Sequence, residues 1–327
     1  YADLPHEEQA EALRPVALAA ADAFGLAVHR LEVLLHAYNT TYELQTVGGE
    51  RFALRINTNS TSPEPEIVGQ QLWQLAIARE TTVLVPRPIA TADGRWCARV
   101  PSRALGRDLL VTCASWLEGD DVGEPDAEVA HELGRSMAAL HKQARTWQLP
   151  EGSSMPSFDE PLFGDEDLLG TAELTPQEHE VVEQSRALAQ ETFRRIYTGA
   201  TSIALHADLH GGNLKWHGGR LAVFDFDDCG LGVPALDLAI STFYLRGGEA
   251  GAEEAMRAGY ASVAHLPDVD RSDFEAMVAS RQLLLANAIL SSSTGQLRAM
   301  ASTYLPTTVD RLRHWLEHGT FTRALPG

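Results

Sequence analysis

Leu205-His206-Ala207-Asp208-Leu209-His210-Gly211-Gly212-Asn213-Leu214, followed by Leu221-Ala222-Val223-Phe224-Asp225-Phe226-Asp227-Asp228, is the stretch on which the reading of this chain turns. Between the two halves, Lys215-Trp216 and Arg220 to Phe224 flank His217-Gly218-Gly219, a turn signal between β-forming runs. Such a hairpin brings Asn213 and Asp225 near one another. Phosphoryl transfer needs an acceptor for a hydroxyl proton and oxygen ligands for Mg²⁺, which prefers carboxylates and amide carbonyls to nitrogen or sulfur. Asp208, Asn213 and Asp225 supply that set, with Asp208 as the base, Asn213 and Asp225 as metal ligands, and Gly211-Gly212 allowing a tight return between them. A rival reading uses the alternation of His206, Asp208 and His210, which on a strand would face one side as the ligands of a metal-dependent hydrolase. That site needs further ligands, and His131, His141, His179 and His217 offer no second ligand pair.

Upstream, Glu7 to Ala27 has apolar residues at helical steps, with Pro15 in the first turn or at a kink. Leu31 to His36, Thr41 to Val47 and Arg51 to Ile56 read as strands, with a hairpin at Gly48-Gly49, and Ala98 to Val100 and Leu109 to Trp116 as two more. One helix, Glu66 to Ala78, lies among them. Beyond Gly119 the pattern becomes helical: Ala127 to Gln148, Pro176 to Tyr197, Ala255 to Val263, Asp273 to Leu290 and Val309 to His318. Glu151 to Leu174 lacks periodicity and reads as an extended loop that helps to wall a substrate site. Arg281, Asn287 and Ser291 to Ser293 are placed outside the site, because polar residues on helices usually face solvent.

Lys and Arg total 26 against 45 for Asp and Glu, a formal charge of −19 that repels nucleic acid and anionic lipid. The same field draws in a cationic, amine-bearing acceptor, although acidity also serves solubility, so charge alone does not choose the substrate. Cys97, Cys113 and Cys229 form neither a disulfide framework nor a zinc motif, which fits a reducing cytoplasm. No targeting or membrane segment is legible.

The stretch from His206 to Asp228 closely resembles the aminoglycoside phosphotransferase and choline kinase family, a branch of the protein-kinase-like fold that includes type II homoserine kinases. The resemblance implies an α+β, bilobal fold: a β-rich nucleotide-binding lobe over 1–116 and a mainly helical catalytic and substrate-binding lobe over 117–327. It implies ATP as cosubstrate, Mg²⁺, and a small-molecule hydroxyl acceptor. In its terms His206 shapes the catalytic loop and Asp237 is the buried carboxylate that pins it. Ala37 to Tyr42, with Asn39, is similar to the nucleotide-covering loop, Arg55 stands for the basic residue at the α- and β-phosphates, and Thr112 to Trp116, with Ser115, is the adenine hinge. The glutamate that usually pairs with the basic residue is replaced by Gln70, and Glu66, one turn earlier, is the expected substitute. His210 is expected near the substrate and Asp227 on the strand face of Asp225, while Asp228 is either a solvated acid or close to the acceptor. A protein kinase on the same scaffold and a nucleotide-binding pseudokinase are the alternatives within the fold, and the Gln70 replacement is the feature that favours the latter.

Overall fold

The computed structural model describes residue 1 and residues 4–325; the ends of the two predicted lobes at 2–3 and 326–327 lie outside the described residues. Where periodicity predicts one N-terminal helix there are two, α1 (His6–Ala12) and α2 (Arg14–Ala23). Pro15 is the physical cause: it stands in the first turn of α2, where its missing N–H has no partner to lose. β1 (Val28–His36), β2 (Thr40–Thr46) and β3 (Arg51–Ile56) follow, then α3 (Glu64–Glu80), β4 (Ala98–Ser102) and β5 (Arg107–Ser115). The strands form one antiparallel sheet in the order β1-β2-β3-β5-β4. Gly49, with φ +87°, makes the predicted β2–β3 turn. Val16, Ala17 and Ala20 of α2 share a core with Leu44, Leu54, Ile56 and Leu109 on one face of the sheet.

α3 belongs to the first half by sequence but packs into the second. Trp73 and Ile77 join the larger core, Trp73 lies edge-on to Phe226 with ring centroids 5.8 Å apart, and its indole N–H donates to Gln143 Oε1 at 2.9 Å. α3 is therefore packed against the turn that follows Asp225 as well as lying beside the sheet.

The second half comprises β6 (Asp120–Asp121), α4 (Ala127–Ala144), α5 (Pro176–Tyr197), β7 (Ile203–Leu205), β8 (Leu214–His217), β9 (Arg220–Val223), β10 (Gly230–Gly232), α6 (Pro234–Leu245), α7 (Ala252–Ala261), α8 (Arg271–Ser291) and α9 (Gly295–His318). Asp126 caps α4 by accepting the Val129 N–H, and Thr175 with Glu178 forms a capping box on α5. α6 is absent from the sequence reading because Ala235 to Phe243 are buried without interruption, so no polar stripe marks its period. α9 begins fourteen residues before the expected Val309, with Pro306 inside it interrupting the helical pattern. α8 is buried continuously from Asp273 to Leu284. Its polar residues consequently face protein, not solvent.

The segment 151–174 holds one short 3₁₀ turn, Leu169–Thr171, and is tied down by α8: Asn287 accepts the Leu168 N–H at 2.8 Å and donates to the Glu166 carbonyl at 2.9 Å. Asn59, in the loop after β3, accepts from Ser293 N at 2.9 Å and Ser293 Oγ at 2.5 Å, joining the two halves of the molecule. Asn287 and Ser293 thus serve as ties, in place of the solvent-facing positions that their helical setting suggests. Among the described residues no helix is long and apolar enough to cross a membrane.

Candidate active site

β7 pairs antiparallel with β10 and ends at Leu205, so the residues that follow leave the strand. Ala207 takes a left-handed conformation, φ +60°, which an alanine adopts only when the surroundings compel it. Asp237 does so. Its two carboxylate oxygens, buried in α6, accept the N–H groups of His206 at 3.2 Å and Ala207 at 2.7 Å, and a third bond comes from His141 Nε2 at 2.9 Å. Tyr260 Oη lies 2.9 Å from the other ring nitrogen of His141, which therefore packs rather than reacts. The bend at Ala207 also breaks the alternation on which a His206-Asp208-His210 metal-hydrolase site depends. His206 turns its Nε2–H to the Phe224 carbonyl at 2.9 Å, with Nδ1 buried and unpartnered, and burial lowers its pKa, so the ring is neutral.

Asp208 is buried, with both oxygens engaged. Oδ2 accepts from Asn213 Nδ2 at 2.9 Å and lies 3.4 Å from His210 Nε2, while Oδ1 is paired with Arg281 of α8. Burial opposes its ionisation, but the Arg281 charge and then His210 prevail and hold it down at about 2. The rule that helical polar residues are exposed sets Arg281 outside the site; the buried setting of α8 overturns that, and only a periodic pattern with no polar face could signal it. His210 accepts the Gly212 N–H on Nδ1, and its ring lies on Tyr244 at 4.3 Å between centroids. The tight return at Gly211 is required by close approach: a Cβ there would stand 1.6 Å from the Gly123 carbonyl oxygen.

β8 and β9 form the predicted hairpin, and the Phe224 N–H donates to the Asn213 carbonyl at 3.0 Å, so Asp225 emerges beside Asn213. Asp225 is itself left-handed, φ +64°. Arg55 on β3 donates to Asp225 Oδ1 at 2.5 Å and is ion-paired with Asp227 as well. This corrects the expected partnership: neither Glu66 nor Gln70 holds Arg55. Gln70 instead donates to the backbone carbonyls of Asp227 at 2.8 Å and Cys229 at 3.0 Å, bracing the strand end, and Glu66 is a half-buried carboxyl raised by burial that makes no side-chain bond among the described residues. The Gln70 replacement therefore has a structural use.

A cavity of about 150 Å³ lies between the sheet and this hairpin, lined among others by Ala53, Arg55, Pro86, Thr112, Phe224 and Asp225, with Ser115 and Trp116 at the end of β5. The hollows of about 680 Å³ near Ser62 and about 590 Å³ near Arg271 contain none of Asp208, Asn213 or Asp225. Ser115 Oγ accepts the Arg87 N–H at 2.9 Å, and Arg51 stacks over Trp116 at 4.0 Å, which shape the cavity rim. Asn39 builds its loop: its side-chain carbonyl oxygen accepts the Asn59 and Ser60 N–H groups at 3.2 and 3.3 Å. Its neighbour Tyr38 faces the acidic side; burial and then the charges of Asp165 and Asp228 push its phenol up to about 12. Asp228 has its side chain open to solvent, yet the protein around it and the charges of Asp208 and Asp225 push it up to about 7.

The donor set suits a hard divalent ion. Asn213 spends its N–H₂ on Asp208, leaving its carbonyl oxygen, and Asp225 already faces the positive charge of Arg55. Among the described residues there is no group of three or more His, Cys, Asp or Glu side chains that could hold a metal ion.

Residues 30–273 match the sequence model of the phosphotransferase enzyme family. An amicoumacin kinase of Bacillus subtilis (strain 168) is 28% identical over 241 residues, 72% of this chain and 67% of the kinase. Two solved structures share the fold: an amicoumacin kinase, hAmiN, in complex with AMP-PNP, Ca²⁺ and Ami (TM-score 0.75, 20% identity, 94% of this chain and 96% of that one), and a microcompartment-associated aminopropanol kinase (TM-score 0.76, 21% identity, 95% and 100%). The aggregate is a protein-kinase-like fold with an α+β composition.

Proposed function

The chain belongs to the phosphotransferase enzyme family, and from that membership we propose that it moves the γ-phosphoryl group of ATP, with Mg²⁺, to a hydroxyl of a small, amine-bearing molecule. The observation that carries this reading is the convergence of three groups: Asn213 bonded to Asp208 at 2.9 Å, and Asp225 delivered beside it by the Phe224–Asn213 backbone bond at 3.0 Å. Residues 1–116 form the nucleotide lobe and 117–327 the catalytic lobe in this reading. The purine lies in the cavity against Ala53, Pro86 and the Thr112 to Trp116 segment. Arg55 exchanges its present carboxylates for the phosphates, to which a planar guanidinium is well matched.

Asn213, through its carbonyl oxygen, and Asp225 are the residues that would hold Mg²⁺; when bound, the ion supplies charge neutralisation at the phosphate oxygens. Asp208 orients the acceptor hydroxyl and takes its proton late, because a carboxylate held at about 2 is a weak base and the chemistry is chiefly positioning. Asp165 and Asp228, which both act on Tyr38 at the loop edge, together with the charge of −19, support an ammonium-bearing acceptor. That is also the chemistry in the names of the aminopropanol kinase and aminoglycoside phosphotransferase structures that share its fold.

The test is ADP release by the purified protein with Mg²⁺ and ATP over a panel of amino alcohols, aminoglycosides, homoserine, choline and sugars. Acceptor-dependent ADP that vanishes in Asp208→Asn is expected; turnover that survives this substitution contradicts the assignment. Asp225→Ala should lose Mg·ATP binding as well as turnover, whereas Asp208→Asn keeps it.

A further inference from the structure

Arg281 projects from α8 into the catalytic loop, and its setting is costly. Its side chain is 8% exposed, Nη2 pairs with Asp208 Oδ1 and donates to the Tyr244 hydroxyl at 2.9 Å, and the Nε–H is buried without a hydrogen-bond partner. Replacing a whole buried ion pair by apolar residues is often neutral or stabilising, although removing one partner alone strands a buried charge, and an unpaired buried N–H is a net cost. The neighbours of Arg281 on α8, Met277, Val278 and Leu284, show that an apolar side chain is readily housed on this helix. Stability alone does not call for such a pair here.

The geometry of the carboxylate does. Oδ2 of Asp208 accepts from Asn213 at 2.9 Å and lies 3.4 Å from His210 Nε2, so its side of the carboxylate is already occupied. Oδ1 has one lone pair on Arg281 and one free. Tyr244 braces both partners at once: His210 stacks on its ring, while the guanidinium of Arg281 lies 5.5 Å from the ring centroid and is bonded to its hydroxyl. We propose that Arg281 is a positioning residue for phosphoryl transfer, fixing the Asp208 side chain so that the free lone pair of Oδ1 receives the acceptor hydroxyl. This rests on the function proposed above. In the step itself the hydroxyl oxygen bonds to the γ-phosphorus, the bond from phosphorus to the β–γ bridging oxygen breaks with its electron pair left on ADP, and the hydroxyl proton passes to Oδ1. Arg281 stays on the other lone pair of Oδ1 throughout and keeps the carboxylate from rotating.

The experiment compares wild type, Arg281→Ala, Arg281→Met, Arg281→Lys and Asp208→Asn in ADP release from Mg·ATP. Aminopropanol serves as acceptor, and water stands in for it in a parallel series; thermal melts and Mg·ADP titration accompany both. The expected result for Arg281→Ala and Arg281→Met is a loss of about 100-fold in kcat, the order a misplaced reacting group costs, with Mg·ADP affinity and the KM for ATP within about 2-fold of wild type. Added guanidinium ion should restore part of the activity of Arg281→Ala and none of that of Asp208→Asn. Arg281→Lys keeps a positive charge beside Asp208 and guards against loss of folding, whereas Arg281→Ala and Arg281→Met leave that carboxylate unpaired, should melt lower than wild type, and are assayed well below their melting temperatures. Activity that needs Asp208 but is indifferent to Arg281→Ala, or a loss confined to the KM for acceptor, overturns the positioning role alone. ADP release that is indifferent to Asp208→Asn, or absent with every acceptor including water, counts against the function on which it rests.

Discussion

Asp237 Oδ1 accepts the backbone N–H of Ala207 at 2.7 Å, where the chain turns left-handed out of β7 towards Asp208. The carboxylate is fully buried and has His206 N–H and His141 Nε2 as its other partners. Asp237→Ala should therefore lose about 3 kcal/mol or more in urea denaturation, because three buried donors lose their acceptor and the strained loop its restraint. Asp237→Asn should keep the fold better but not the activity, since an amide cannot accept on both of its heavy atoms. Equal stability for Asp237→Ala and wild type would show that the loop is held by other means.

Arg55 neutralises Asp225 and Asp227 in the absence of nucleotide. Arg55→Ala leaves two carboxylates facing one another and should destabilise the free protein by about 3 kcal/mol, a typical cost of removing one partner of a poorly solvated pair. Mg²⁺ alone should then raise the melting temperature of Arg55→Ala more than that of wild type, since the ion meets carboxylates no longer paired. An equal Mg²⁺ response in the two proteins would mean that the guanidinium does not compete with the metal.

Asn287 fastens the 151–174 segment through Leu168 and Glu166. Asn287→Ala removes both bonds, and about 2 kcal/mol is the expected loss in stability. If that segment walls the acceptor site, the variant should raise the KM for acceptor while the KM for ATP holds. A change in both, or in ATP alone, would place the segment elsewhere in the reaction.

Asp228 gives a pH dependence with a definite sign. Its carboxyl stands at about 7 in the folded protein and near the ordinary value of about 4 once unfolded. Between these values the folded state binds a proton that the unfolded state has released, so stability is highest below the unfolded pKa and declines as pH rises through the folded one. Asp228→Asn should then gain melting temperature relative to wild type at about pH 8 and not at about pH 4. A difference that does not change with pH would assign the effect to packing.

The β8–β9 hairpin, the β2–β3 turn and the bounds of α5 are legible in the sequence because each is local: a glycine turn between β-forming runs, or a capping box ahead of a helical period, needs no distant partner. That Asp208, Asn213 and Asp225 come together follows from the same locality, since Asn213 and Asp225 flank one hairpin and Asp208 lies five residues ahead of Asn213. What the tertiary structure alone decided is who stands opposite them. Arg55 meets Asp225 across 170 residues and Arg281 meets Asp208 across 73, and no spacing rule encodes either pair. α6 and α8 are buried on every side, which erases the polar stripe that marks a helix and makes a buried arginine indistinguishable from a solvated one. Local chemistry was determined by the order of residues; the partners of that chemistry were decided by burial, which only the assembled cores create.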